Sequence, residues 1–246
     1  DPGVVVTRGR TLDNAGNLPQ QFLSDIERAY GSTRLGRQEL EGEILEPCGG
    51  LFQREWIVHI DPDQVPKLAR VVVSVDPAIT TRNDETGIVV VGRAGDRGYV
   101  LADLSGVYTP EEWARKAVEA AKRYNAHSIV AEVNRGGDLV RATIRQFDRH
   151  VPIKEVRANR GKDTRAEPVA ALYEQLRIRH AGTLAKLEKQ MVEWAPTSQE
   201  MARARNQATS PDRLDALVWG VTDLGFHIGV ARAPSYNAST PITDDR

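Results

Sequence analysis

Short apolar runs separated by turns dominate the chain from residue 68 onward. The runs VVVSVDPA, TGIVVVGRAG and YVLADLSGV are apolar enough for strands, and a Gly-Asp-Arg-Gly turn joins the last two. They predict three strands in an antiparallel meander. SIVAEV and IKEVRA predict a fourth and a fifth strand, and a helical stretch precedes each of them.

Amphipathic stretches between and after these runs predict helices. The first opens at Thr109-Pro110, where threonine suits the N-cap and proline the first helical position. Further helices are predicted over residues 138–149, 167–179, 184–193 and 211–225. The order of elements predicts an α/β fold with a mixed five-stranded sheet, three strands antiparallel and then two parallel, flanked by helices.

The first 66 residues have a different pattern. Helices are predicted over residues 18–30 and 33–44, LFQREWIVHI alternates as a strand does, and DPDQVP supplies two prolines in a turn-rich stretch. We therefore predict a short, mostly helical lead-in over 1–66 and a main domain over 67–228. The tail over 229–246 is small and polar, and we expect it to be disordered.

Composition narrows the classes of protein that fit. The 246 residues carry a formal net charge of -1, and the one cysteine excludes an internal disulfide framework. No apolar run is long enough for a membrane span, so we expect no membrane partner. The near-neutral net charge does not exclude a nucleic-acid partner, because a net charge averages over the whole chain. Residues 134–165 hold nine basic and four acidic residues, a local charge of +5.

Three acids lie where a core element should be apolar. Asp76 ends the first strand, Glu132 lies in the fourth, and Asp215 borders the apolar stripe of the last helix. Buried charges need a partner or a metal ion, so each acid marks a strand end or a site. Asp212 shares a helix face with Asp215, but the helix dipole alone explains an acid in the first turn, which makes Asp215 the better candidate ligand.

The chemistry of these acids predicts a metal site. A set of only carboxylate oxygens suits Mg²⁺ or Mn²⁺ rather than Zn²⁺, and two such ions can activate a water and stabilise the leaving oxygen of a phosphodiester. Any single acid is also explained by a salt bridge or a strand end. Asp84 and Glu85 could reach a second metal, although a hairpin turn explains them as well.

The order of strands and acids resembles the ribonuclease H-like nuclease fold, and DRLDAL is similar to the Asp-x-x-Asp helix of Holliday-junction resolvases. More specifically, VDPAITTRNDETGIVVVG, IVAEVNRGGDLV, NRGKDTRAEPVAALYEQ and SPDRLDALVWGVTDL resemble the nuclease domain of the large terminase subunit of tailed bacteriophages. The lead-in segments TRGRTLDNAGNLPQQFL and YGSTRLGRQELEGE resemble the end of that family's packaging ATPase domain. No G-x-x-x-x-G-K-[ST] loop occurs in these residues, so we expect no ATPase activity from them alone.

This resemblance implies a metal-dependent endonuclease that cuts concatemeric double-stranded DNA during phage genome packaging. It implies Asp76, Glu132 and Asp215 as catalytic metal ligands, two Mg²⁺ or Mn²⁺ ions, and action in the cytoplasm of the infected bacterial host. The implied partners are DNA, a portal protein, a small terminase subunit and other large-subunit copies on the portal. The isolated domain is expected to be monomeric.

Basic residues beside the predicted strand ends are candidates for DNA contact. Loops that leave neighbouring strands converge at one sheet edge, which favours phosphate contacts from four of these bases rather than a solvated surface: Arg135, Arg160, Lys162 and Arg165. Two other functions remain open. One is a junction resolvase or transposase-like nuclease of the same fold, and the other is a non-catalytic module that docks onto the portal or motor.

Overall fold

The computed structural model describes residues 9–31, 33–42, 50–78, 85–133, 137–159, 161–194 and 211–226. These residues fall into two units, one up to residue 42 and the other from residue 50 to 226. The predicted tail over 229–246 lies outside the described residues. Within them, no helix has the length and apolar character needed to cross a membrane.

The first unit consists of short helices. A 3-10 helix spans Thr11–Asn17, α1 spans Gln20–Tyr30, and α2 spans Arg34–Glu39. The Thr33 hydroxyl accepts a hydrogen bond from the Gly36 amide and so caps α2. Both helices agree with the apolar spacing, but α2 ends earlier than the sequence pattern predicts.

The second unit is built on one sheet of seven strands: β1 Val58–Ile60, β2 Arg70–Asp76, β3 Gly87–Ala94, β4 Arg97–Asp103, β5 Ser128–Glu132, β6 Ile153–Val156 and β7 Ile178–Ala181. Their order is β1-β7-β4-β3-β2-β5-β6, and β3 runs antiparallel to both of its neighbours. All other pairs are parallel. The predicted mixed α/β sheet is confirmed, but its predicted count of five strands is wrong.

The two extra strands extend the sheet beyond β4. β1 comes from the stretch predicted as a lead-in strand, and it pairs with β7 in the main sheet. β7 lies in a region where the sequence predicted a helix to residue 179. The helix instead ends at Glu174, and Leu176 turns the chain with a φ of +55° before the strand begins. The boundary predicted at residue 66 leaves β1 in the lead-in, although β1 pairs with β7 of the main sheet. The boundary itself stays a prediction.

Within the described residues, five α-helices accompany the sheet: α3 Pro110–Arg123, α4 Gly137–Phe147, α5 Lys162–Glu174, α6 Ala185–Glu193 and α7 Asp212–Asp223. The α3 helix begins with a capping box in which the side chains of Thr109 and Glu112 each accept the other residue's amide hydrogen. α3 packs on β2 and β5 and against α4, while α7 packs on β2 and β3 and contacts α5 and α6. The central strand β2 is thereby buried on both faces.

Candidate metal centre

Strand alternation aims Asp76 toward helix α7. Val71, Val73 and Val75 of β2 belong to the core cluster with α3. Successive side chains of a strand point to opposite faces, so Ser74 and Asp76 share the other face. The contact between Ser74 and Gly220 of α7 identifies that face as the α7 side.

Two glycines allow α7 to lie close to the sheet at this point. Gly87 is the β3 partner of Asp76, and a Cβ there would lie 2.0 Å from the backbone oxygen of Asp212. A Cβ at Gly220 would lie 2.7 Å from the Ser74 hydroxyl. Neither position has room for a side chain, so both glycines are needed for the close approach of α7 to β2 and β3.

The first turn of α7 brings two acids to the end of β2. Carboxylate oxygens of Asp76, Asp212 and Asp215 all lie within 4.8 Å of one another. Burial raises the pKa of Asp76 well above its usual value, and the charges of Asp215, Glu132 and Asp212 raise it further. We call Asp76, Asp212 and Asp215 the carboxylate cluster.

Glu132 lies beside the carboxylate cluster at the end of β5. The register of β2 with β5 pairs Val75 with Ala131, so Asp76 and Glu132 are the next residues on two adjacent strands. The Trp219 indole N–H of α7 donates to Glu132 Oε2 at 2.5 Å. The structure thus brings the three sequence-predicted acids to one sheet edge, but the closely spaced group contains Asp212 in place of Glu132.

Two of the predicted basic residues reach this same edge from the first turn of α5. Lys162 Nζ donates to Asp215 Oδ2. Arg165 Nη2 lies 3.9 Å from Asp215 Oδ1, and Arg165 Nη1 lies 3.7 Å from Glu132 Oε2. The Arg165 guanidinium also stacks 4.6 Å from the centre of the Trp219 ring. Arg135, Arg160 and Asp84 lie outside the described residues.

Arg165 is held here without a full set of hydrogen bonds. Its side chain is 11% exposed, and its Nε and Nη1 atoms find no hydrogen-bond partner among the described residues. Buried donors are normally hydrogen-bonded, whereas Arg165 Nη1 lies 3.7 Å from Glu132 Oε2 in an ion pair without a hydrogen bond. This corner therefore combines clustered carboxylates with a buried guanidinium group.

Arg213, which is not among the sequence-predicted site residues, holds the start of α7 in place. Its buried guanidinium pairs with Glu85 at 2.7 Å and with Asp103 at 2.5 Å, and it donates to the Ser105 backbone oxygen at 3.2 Å. Because Arg213 follows Asp212 directly, these bonds fix where both helix acids lie. The only sequence signal is a charged residue on the buried side of an amphipathic helix.

The far end of α7 is anchored in the same way. The buried carboxylate of Asp223 accepts from Arg70 at 2.6 Å and from Lys154. Arg70 begins β2, and Lys154 belongs to β6. Ion pairs at both ends therefore hold α7 to the sheet that carries Asp76 and Glu132.

The donor set of the cluster fits a hard divalent cation. Carboxylate oxygens are the ligands that Mg²⁺ and Mn²⁺ prefer, and three of them lie within reach of one ion. Burial beside other acids is unfavourable without a positive charge, which Lys162 and Arg165 supply in part. The identity of the ligands stays a prediction.

A comparison with family models matches the segment that carries these acids. The family model described as "Terminase RNaseH-like domain" matches residues 73–223, more than half of the chain. The matched segment includes β2 with Asp76, β5 with Glu132, and α7 with Asp212 and Asp215. No curated protein matches the chain.

Three solved structures share the fold. The large terminase of a thermophilic bacteriophage, solved in complex with ATP-gamma-S, has a TM-score of 0.62 at 16% identity, over 85% of this chain and 53% of that one. The nuclease domain of the large terminase subunit of bacterial virus Sf6 has a TM-score of 0.52 at 14% identity, over 69% and 96%. The large terminase nuclease of the thermophilic phage G20c has a TM-score of 0.51 at 11% identity, over 71% and 98%.

The chain therefore spans about half of the first of these proteins and nearly all of the two nuclease domains. At these identities the likeness shows the fold, a ribonuclease H-like sheet with its helices. Membership of a family is shown by the family model, which covers the strands and the helix that hold the acids. The protein belongs to the terminase RNaseH-like domain family.

Proposed function

We propose that this chain is the metal-dependent DNA endonuclease part of a phage large terminase subunit. In this role it cuts concatemeric double-stranded viral DNA during genome packaging, in the cytoplasm of the infected bacterial host. The observation that carries the proposal is the carboxylate cluster, whose oxygens lie within 4.8 Å of one another at the end of a buried strand.

Asp76, Asp215 and Glu132 would hold two Mg²⁺ or Mn²⁺ ions, and Asp212 is added to this set. A mutant of the Sf6 large terminase subunit with a TM-score of 0.51 was solved with calcium, another hard cation, which supports this choice of ion. When bound, such ions activate a water and stabilise the leaving oxygen of a phosphodiester. The described groups that pair with Asp215 are the bases Lys162 and Arg165, and no covalent protein nucleophile is proposed.

The residues around the cluster position and balance it. Trp219 orients the Glu132 carboxylate through its N–H group, and Arg213 fixes the helix turn that carries Asp212 and Asp215. Lys162 neutralises Asp215 in this structure. A divalent ion bound to Asp215 would compete with that ammonium group and direct Lys162 toward a DNA phosphate.

Arg165 and Lys162 would bind the phosphate backbone, and Arg135 and Arg160 are proposed to do the same. Backbone contacts position a duplex without reading its sequence. Changing Lys162 or Arg165 to glutamine should weaken DNA binding and lower the slope of log affinity against log salt by about one for each lost contact. If the slope is unchanged, Lys162 and Arg165 balance the negative charge of the acids and do not contact DNA phosphates.

Membership of the family supports a proposal for the wider assembly. We propose a portal protein, a small terminase subunit and other copies of the large subunit as partners. The packaging ATPase activity is assigned to sequence other than these residues, because no phosphate-binding loop motif occurs among them. The isolated nuclease unit is proposed to be a monomer.

A plasmid-cleavage assay in Mn²⁺ tests the proposal. Asp76→Asn, Glu132→Gln and Asp215→Asn should each abolish cleavage, whereas Asp96→Asn should cut as the wild type does. Asp96 is the matched control because it is an exposed acid on the β3–β4 turn, at the opposite end of these strands from Asp76. Cleavage by all three folded site variants would disprove the assignment.

Cleavage of branched and of linear DNA, together with thermal unfolding in Mn²⁺, separates the alternative functions. Preference for branched DNA over linear duplex would favour a junction resolvase. No cleavage by the wild type, together with no rise of its melting temperature in Mn²⁺, would favour a non-catalytic docking module. A terminase nuclease should cut linear duplex and be stabilised by the ion.

A further inference from the structure

A second group of side chains that can bind a metal ion lies on β1, the outermost strand at one side of the sheet, and on its neighbours β7 and α6. His59 of β1 and His180 of β7 are partners in the parallel register, so they are side by side on one face. Glu188 of α6 meets both of them: its Oε1 lies 2.8 Å from His59 Nε2 and 3.0 Å from His180 Nδ1. Strands β4 and β3 separate β7 from the β2 strand that carries Asp76.

The three ligand atoms are close enough together for one ion. They all lie within 4.8 Å of one another, as the oxygens of the carboxylate cluster do. The His180 and Glu188 side chains are 0% and 4% exposed, whereas His59 is 43% exposed. The group is therefore fixed on its inner side and open to solvent at His59.

The surroundings orient two of the ligands. The Tyr173 hydroxyl lies 2.8 Å from the second ring nitrogen of His180, and the Leu184 amide donates to Glu188 Oε1 at 2.8 Å. Metal-binding histidines usually bond their other nitrogen to a neighbouring group, which sets the ring orientation and the tautomer. Tyr173 fills this place for His180.

We propose that His59, His180 and Glu188 form a second metal site, for Zn²⁺ or a transition ion of similar preference. Two imidazoles and one carboxylate are a set that zinc accepts, with a fourth position left for water. The carboxylate cluster, in contrast, offers oxygen alone. The inference concerns a different edge of the sheet and does not depend on the proposed nuclease function.

Binding needs only a local rearrangement. The ion would take the place of the hydrogen between His180 Nδ1 and Glu188. That hydrogen would move to Nε2, and the Tyr173 hydroxyl would then change from a donor to Nε2 into an acceptor from it. The bound ion would join β1, β7 and α6 through one ligand from each. We expect it to stabilise this edge of the sheet, where β1 is only three residues long.

The test is Zn²⁺ binding to the metal-stripped chain. The Asp76→Asn, Asp215→Asn double variant serves as the background, so that zinc at the carboxylate cluster does not contribute. We expect one Zn²⁺ per chain in this background, and Co²⁺ in its place should show the visible absorption of a tetrahedral site. His59→Gln should lose the Zn²⁺-dependent rise of the melting temperature and the Co²⁺ signal, whereas His150→Gln, at an exposed histidine, should keep both.

His59→Gln is the primary variant because His59 is half-exposed and glutamine can still reach Glu188. Tyr173→Phe keeps all three ligands and should weaken Zn²⁺ binding about 10- to 100-fold by removing the group that orients His180. Equal Zn²⁺ binding in the background and in His59→Gln would overturn the proposal. So would a background protein that binds no Zn²⁺, and the three residues would then serve only as a hydrogen-bonded link.

Discussion

Asp76→Asn should stabilise the protein without metal and weaken its response to metal. The reason is that Asp76 lies among acids, with oxygens of Asp212 and Asp215 within 4.8 Å. Two unit charges 4.8 Å apart repel by about 3.5 kcal/mol at an effective dielectric constant of about 20. Lys162 and Arg165 offset part of this repulsion, so we expect a net gain on the order of 1–3 kcal/mol in the free energy of unfolding.

The effect should depend on pH in a defined direction. The pKa of Asp76 is raised in the folded protein by burial and by the neighbouring acids. The folded state therefore binds this proton more tightly than the unfolded state does. Without metal, stability falls as the pH rises from the ordinary aspartate value near 3.8 through the raised pKa. Asparagine removes that part of the fall, so the gain should be largest at neutral pH.

Mn²⁺ should offset the stability advantage of the variant. An ion at 100 times its dissociation constant stabilises the wild type by about 2.7 kcal/mol, and the variant should lose most of this gain. Each kcal/mol corresponds to about 2–4 °C in the melting temperature of a domain of this size. Thermal unfolding in chelator and in Mn²⁺, with Asp96→Asn as the control, measures both effects. A lower melting temperature of Asp76→Asn in chelator would refute the reasoning, because it would mean that Asp76 serves as a salt-bridged structural acid.

Four further predictions follow from single contacts. Lys162→Met should tighten Mn²⁺ binding several-fold in a titration, because the ammonium group no longer competes for the carboxylate; unchanged affinity would contradict this. Gly87→Ala should lower cleavage about 100-fold by displacing the start of α7, whereas Gly16→Ala, with no atom within 4 Å of the added Cβ, should have no effect. Arg213→Met should cost about 3–5 kcal/mol in urea unfolding, because two acids lose their partner, and a loss below about 1 kcal/mol would count against the anchor. The pKa of Glu188 is lowered to about 2, so its hydrogen bonds stabilise the fold above pH 4.5 and this stability is lost as the pH falls toward 2. Glu188→Gln should remove roughly 2 kcal/mol of the loss of stability in acid. If the variant and the wild type lose the same stability from pH 7 to 3, Glu188 does not stabilise the fold in this way.

The central sheet could be predicted from sequence because its strands are long and apolar. Residues 71–75 and 88–91 are buried runs rich in β-branched side chains, which favour a strand that is buried on both faces. The place of β1 in the main sheet and the presence of β7 could not be predicted in the same way. β1 is predicted only as a strand of the lead-in, and β7 begins where a helix is predicted to residue 179. The two strands have three and four residues, and they pair with each other across more than 100 residues of chain.

The acids of the site could be located for a related reason. A carboxylate at the end of a buried strand conflicts with its surroundings, so Asp76 and Glu132 were evident from sequence. The sequence favours Asp215 over Asp212 because the helix dipole already explains an acid in a first turn. Only the structure shows that an Asp212 oxygen lies within 4.8 Å of an Asp76 oxygen. The partners of Arg213 are more than 100 residues away, and no local pattern predicts them.

The most direct test of the central claim is anomalous scattering from a crystal of the chain grown with Mn²⁺. The account predicts Mn²⁺ bound to carboxylate oxygens of Asp76 and Asp215, with Lys162 turned away from Asp215. A well-ordered crystal at saturating Mn²⁺ with no ion at these carboxylates, and with the Lys162–Asp215 pair intact, would contradict it.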